Sequence, residues 1–100
     1  MEDELKQEIQ NRWREIFLSL QRGDDVSPSK RLRTEGLMEA ANLIGFWQEE
    51  DQYIEMQQIY REVSGEDIDN LLGFEWRSLH LFPEIPAYTK RAPVFPSTTD

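Results

Sequence analysis

An all-α fold is what this sequence predicts, and three observations carry the prediction. Apolar residues recur at helical spacing over the first two-thirds of the chain, and a helix marked at both ends runs between Ser27 and Gly45. Four prolines after Phe74 (Pro83, Pro86, Pro93, Pro96) bar a long helix or a central strand from the rest. The expected architecture is a small bundle of three amphipathic helices plus a short fourth over residues 1–73. An extended, proline-punctuated C-terminal arm over 74–100 then packs on the bundle or on a partner subunit.

The first helix is expected over residues 3–22. Leu5, Ile9, Trp13, Ile16, Phe17 and Leu20 fall on one face, and Lys6, Gln7, Gln10, Asn11 and Arg14 fall opposite. Glu2/Lys6 and Glu8/Arg12 stand at i,i+4 in the favourable orientation, each contributing about 0.2–0.5 kcal/mol. Arg22 suits the negative end of the helix dipole, and Gly23 suits its termination.

The second helix is expected over 28–44, with Ser27 as N-cap, Pro28 in the first helical position and Gly45 just past the end. Gly36, Ala40 and Ala41 lie among Leu32, Leu37, Leu43 and Ile44. A glycine inside a helix costs about 1 kcal/mol relative to alanine. The expected compensation is close approach of the first helix, with Trp13 and Phe17 lying over the small residues in an antiparallel hairpin. On that reading Ala40→Leu overpacks the interface and costs about 1–3 kcal/mol.

The third helix, near 49–63, places Tyr53, Met56, Ile59, Tyr60 and Val63 on one face but lacks a good N-cap. Ser64-Gly-Glu-Asp67 reads as a capping-box variant opening a fourth helix over 65–72, with Ile68, Leu71 and Leu72 inward and Gly73 as its stop. The arm that follows carries Phe74, Trp76, Leu79, Leu81, Phe82, Ile85, Tyr88, Val94 and Phe95. That is more large apolar surface than a solvated tail holds.

Composition narrows the function classes. One hundred residues suffice for a single core, and 11% aromatic content argues against wholesale disorder. The net charge of −9 disfavours nucleic acid and anionic membranes as direct partners, and suits a basic protein partner or high solubility. The absence of cysteine removes disulfides, thiolate catalysis and cysteine-based zinc sites. Acids in the first twenty residues argue against a signal or transit peptide, and no apolar run is long enough to span a bilayer. A cytoplasmic protein is the expectation.

No constellation in the sequence assembles a reaction, so no catalytic, cofactor-binding or metal residue is assigned. His80, between Leu79 and Leu81, has no serine or acid that the sequence selects to complete a triad. Carboxylate pairs at helical spacing (Glu35/Glu39, Glu55/Glu62, Glu66/Asp69) have the donor chemistry for a hard cation. They read instead as solvated faces and helix starts. Lys30, Arg31 and Arg33 are too few for a nucleic-acid surface and are expected to bridge acids on the first or third helix. Ser27-Pro28-Ser29-Lys30 matches a proline-directed phosphorylation pattern, which the capping role explains equally well.

What remains is interaction. The sequence favours a non-enzymatic protein–protein interaction module, an adaptor, accessory subunit or small regulator. Its binding residues would be Trp76, Leu79, Phe82, Ile85, Tyr88 and Phe95 of the arm, with Glu49, Glu50 and Asp51 of an acidic face. The partner would be a protein, a basic one included, or a second copy in a homodimer. Two alternatives stand beside it: an acidic inhibitor that imitates nucleic acid, and a small carboxylate- or metal-dependent hydrolase.

Overall fold

Helix punctuation in the sequence translates directly into backbone hydrogen bonds. The computed structural model describes residues 2–73, 76, 77, 81–83 and 85. Four helices follow in order, α1 (Glu2–Gln21), α2 (Pro28–Leu43), α3 (Glu49–Ser64) and α4 (Ile68–Leu72), with no strand among the described residues. Ser27 caps α2 as expected, its Oγ accepting the Lys30 N–H at 3.2 Å with Pro28 in the first position. At the far end the Phe46 N–H reaches the Ala41 carbonyl (3.2 Å) and the Gly45 N–H the Asn42 carbonyl (3.0 Å). This paired closure requires the left-handed Gly45, at φ +75°. The end of α1 repeats it, with Asp24 bonded to Ser19 and Gly23 to Leu20.

Long-range contacts set the helix directions. Lys30 near the start of α2 pairs with Glu15 at 2.7 Å, while Trp47, past the end of α2, lies under the Lys6 ammonium. α2 therefore runs antiparallel to α1. Lys6 reaches Glu55 and Arg14 reaches Glu62, so α3 runs parallel to α1. Lys6 thus takes its partner on α3 in place of the expected Glu2, whereas Glu8 and Arg12 do pair, at 2.8 Å. α1 lies against both neighbours, and α2 and α3 meet each other least.

One core fills the bundle. Ile9, Trp13, Ile16, Phe17 and Leu20 of α1 meet Met38 and Ala41 of α2, Trp47, and Met56, Ile59 and Tyr60 of α3. Beyond α4, Trp76, Phe82 and Ile85 enter the same core. The described part of the C-terminal segment is consequently packed on its own bundle. No helix among the described residues is long and apolar enough to cross a membrane.

Two expectations are corrected. Of the small residues Gly36, Ala40 and Ala41, Ala41 joins the core beside Thr34 and Met38, but Gly36 and Ala40 point outward and do not lie under α1. A Cβ built on Gly36 meets nothing within 4 Å among the described residues. Trp13 instead donates its Nε1 proton to the Met38 sulfur at 3.2 Å and lies 5.3 Å from the Trp47 ring. The fourth helix begins at Ile68, not at residue 65. Ser64 still belongs to α3, its hydroxyl donating to the Tyr60 carbonyl at 2.8 Å, and Gly65 caps that helix. Asp67 sits at the N-cap of α4 without a side-chain cap bond, and the Ile68 N–H is accepted by Gln57 Oε1 at 2.8 Å.

An exposed mid-helix glycine predicts a gain on replacement. Gly36→Ala should raise the stability of the dilute protein by about 0.5–1 kcal/mol, and Ala40→Leu should change it by less than about 0.5 kcal/mol. Urea midpoints check both. A loss of about 1–3 kcal/mol in Ala40→Leu would restore the buried stripe.

Candidate interaction surface

The residues expected to bind a partner divide into inward and outward sets. Trp76, Phe82 and Ile85 are buried, each at 7% exposure or less. Leu79, Tyr88 and Phe95 lie outside the described residues, as does His80. Glu49, Glu50 and Asp51 are exposed in the first turn of α3, where carboxylates complement the helix dipole. In place of a local N-cap, Asn42 Oδ1 accepts the Glu49 N–H at 2.9 Å. Glu50 accepts from Arg77 at 2.8 Å, and the Arg77 guanidinium lies 3.7 Å from the centre of the Tyr53 ring.

Two carboxylates expected on solvated faces hold the C-terminal segment. One Glu35 oxygen accepts the successive N–H groups of Leu81 (2.6 Å) and Phe82 (3.1 Å). Arg31, one turn before it, supplies charge at 3.9 Å. Asp69 accepts Trp76 Nε1 at 2.8 Å on one oxygen and the Tyr53 hydroxyl on the other. Burial, then the bond to Asp69, pushes the Tyr53 phenol above its ordinary value of 10.0. Two further carboxylates of the helical pairs are also engaged: Glu55 takes Gln10 and Lys6, and Glu62 takes Arg14. Half-buried Asp67 pairs with Arg61, which holds its carboxyl below the usual range. Among the described residues no group of three or more His, Cys, Asp or Glu is arranged to hold a metal ion.

The outward face of α2 is a different kind of surface. Leu32, Gly36, Glu39 and Leu43 follow one another at i, i+4, i+7 and i+11, opposite buried Thr34 and Ala41. Leu32 is 53% exposed, Leu43 76% and Ile44 68%, three of the five exposed large apolar side chains among the described residues. Ala40 flanks the stripe on one side, together with Arg33. Of the basic cluster, Lys30 bridges Glu15 on α1 as expected, whereas Arg31 pairs with Glu35 in its own helix and not with an acid of α1 or α3. Arg33 and Glu39 are both exposed and make no ion pair among the described residues.

Sequence reasoning missed this face because it assigned the stripe to the core. It missed Glu35 and Asp69 because their partners lie far along the chain. No family model matches the chain, and no curated protein or solved structure is significantly similar to it.

The Glu35 tie predicts a specific loss. Glu35→Ala strands two N–H groups and the Arg31 charge, so it should cost about 2–3 kcal/mol and speed hydrogen exchange at Leu81 and Phe82. Glu35→Gln keeps an acceptor and should cost less.

Tyr53 predicts an alkaline effect. Its raised pKa means the folded state holds the phenol proton more tightly than the unfolded state. That contribution is complete below the unfolded value and is lost as pH rises through the folded one. Tyr53→Phe should therefore start less stable and lose less stability between about pH 9 and pH 11 than the parent protein. Parallel urea titrations across that range read the two slopes.

Proposed function

We propose that this chain is a non-enzymatic protein–protein interaction module that docks through the outward face of α2. The observation that supports it most is the combined exposure of Leu32, Leu43 and Ile44 around Gly36 and Ala40. Each large apolar side chain gains about 1.5–3 kcal/mol on leaving water, and a contiguous set of them on a small domain marks a contact surface. On sequence the arm is the stronger candidate. Trp76, Phe82 and Ile85 spend their apolar surface inside the core, whereas α2 and its C-cap hold three of the five exposed large apolar side chains among the described residues, Leu18 of α1 and Ile54 of α3 being the others.

Charge points the same way. α2 carries Lys30, Arg31 and Arg33 against Glu35 and Glu39, whereas α3 carries five acids against Arg61 alone. A neutral or acidic protein surface meets least repulsion along α2. The carboxylates a hydrolase would need (Glu35, Glu55, Glu62, Asp69) are tied to amides, indole or cations of the chain itself.

The test is affinity capture from the native cell with the parent chain and with Leu32→Asp/Leu43→Asp, both confirmed folded by circular dichroism. Near-stoichiometric partners should be lost from the double variant. An unchanged set would remove α2 as the docking face. Partners retained by that variant but released on neutralising Glu49, Glu50 and Asp51 would favour the nucleic-acid mimic.

A further inference from the structure

We infer that the partner on this face is a second copy of the chain, with the two α2 helices crossing antiparallel about a two-fold axis near Gly36. This rests on the reading of α2 as a docking surface and adds what docks there.

An isologous contact requires a surface that is complementary to itself, so that residue i meets j and j meets i. In an antiparallel pair crossing at Gly36, residues equally far before and after it come level with one another along the contact. Arg33 is then level with Glu39 of the other copy, across the contact line and within reach of two long side chains, and the symmetry makes that ion pair twice. Leu32 is level with Ala40, a large side chain beside a small one, and Leu43 with Ser29. Arg33 and Glu39 are the two exposed charges of α2 that make no ion pair among the described residues. They have opposite sign and stand at equal distances from the glycine.

Gly36 supplies the second argument. It occupies a mid-helix position where its Cβ would meet open space, so nothing among the described residues offsets its cost to the helix. At the crossing point of two helices a missing side chain lets the backbones approach, and neighbouring leucines then interlock across the contact. The third argument is electrostatic. Copies of a chain with net charge −9 repel over most of their surface, and α2 is the long helix in which bases outnumber acids. A second copy approaching there meets cations and apolar groups instead of the acids of α3.

Sedimentation equilibrium of the intact chain in about 0.15 M salt tests this. The expected result is a concentration-dependent shift from 11.9 kDa to twice that mass. Arg33→Glu and Glu39→Arg each place like charges across the axis twice, and each should weaken the dimer about tenfold or more. The double variant Arg33→Glu/Glu39→Arg recreates both pairs and should recover the parent affinity. Gly36→Gln should abolish the dimer while leaving a folded, equally helical monomer.

A chain that stays monomeric at every concentration overturns the inference. So does a dimer indifferent to the charge reversals and to Gly36→Gln. A monomer that still loses a captured partner on Leu32→Asp/Leu43→Asp removes only the second copy and leaves α2 as a docking face.

Discussion

A partly buried carboxylate in the seam between α2 and α3 is the tie on which the closed form of this bundle depends. The two helices meet each other less than either meets α1, and a seam runs between Met38 of α2 and Gln52 and Tyr53 of α3. The segment after α4 fills it. Phe82 stacks on Phe17 at 5.5 Å, and Phe17 in turn meets the edge of Tyr60 at 4.9 Å, so one aromatic column joins the segment, α1 and α3. Prolines keep this segment from making a helix or ladder, and its buried N–H groups therefore need side-chain acceptors. Glu35 provides one for Leu81 and Phe82 together, with Arg31 limiting the cost of placing a charge there.

The same logic recurs wherever the backbone leaves a helix. Gln52 is buried and donates to the carbonyls of Met38 and Trp47, both at 2.9 Å, which ties α3 to α2 and to the connection between them. Gln57 accepts the first N–H of α4, and Asn42 accepts that of α3. Asp69 gathers Tyr53 and Trp76. Four polar side chains thereby supply bonds that local capping sequences do not. Each fixes a connection at a definite height on the bundle, which apolar contacts alone leave free to slide.

This explains what the sequence made legible and what it did not. Helix limits at Ser27, Gly45 and Gly23 were readable because the bonds that form them close within about six residues. The inward face of α1 was readable because its large residues form a single stripe. α2 presents two stripes of helical period, Leu32-Gly36-Leu43 and Thr34-Met38-Ala41, and apolarity favours the first. The bundle buries the second because Thr34 satisfies its hydroxyl on the Lys30 carbonyl at 2.9 Å and Met38 offers its sulfur to Trp13. Neither partner could be chosen without the tertiary arrangement. Glu35 and Asp69 escaped for the same reason, since a carboxylate that will accept distant N–H groups looks in sequence like any exposed acid.

The misassigned stripe and the proposed docking face are one set of residues. A helix whose more apolar side is left outward keeps, in solution, the hydrophobic free energy that a tertiary contact would otherwise consume. Meanwhile the aromatic residues that looked available, Trp76 and Phe82, are consumed inside. Local sequence and tertiary packing disagree in this protein mainly at α2 and at the segment after α4, and they disagree in opposite directions. Conflicts of that kind persist at sites kept for another contact. The interaction proposed for this protein is assigned to α2 because Leu32, Gly36 and Leu43 are left outward while Trp76, Phe82 and Ile85 are consumed inside.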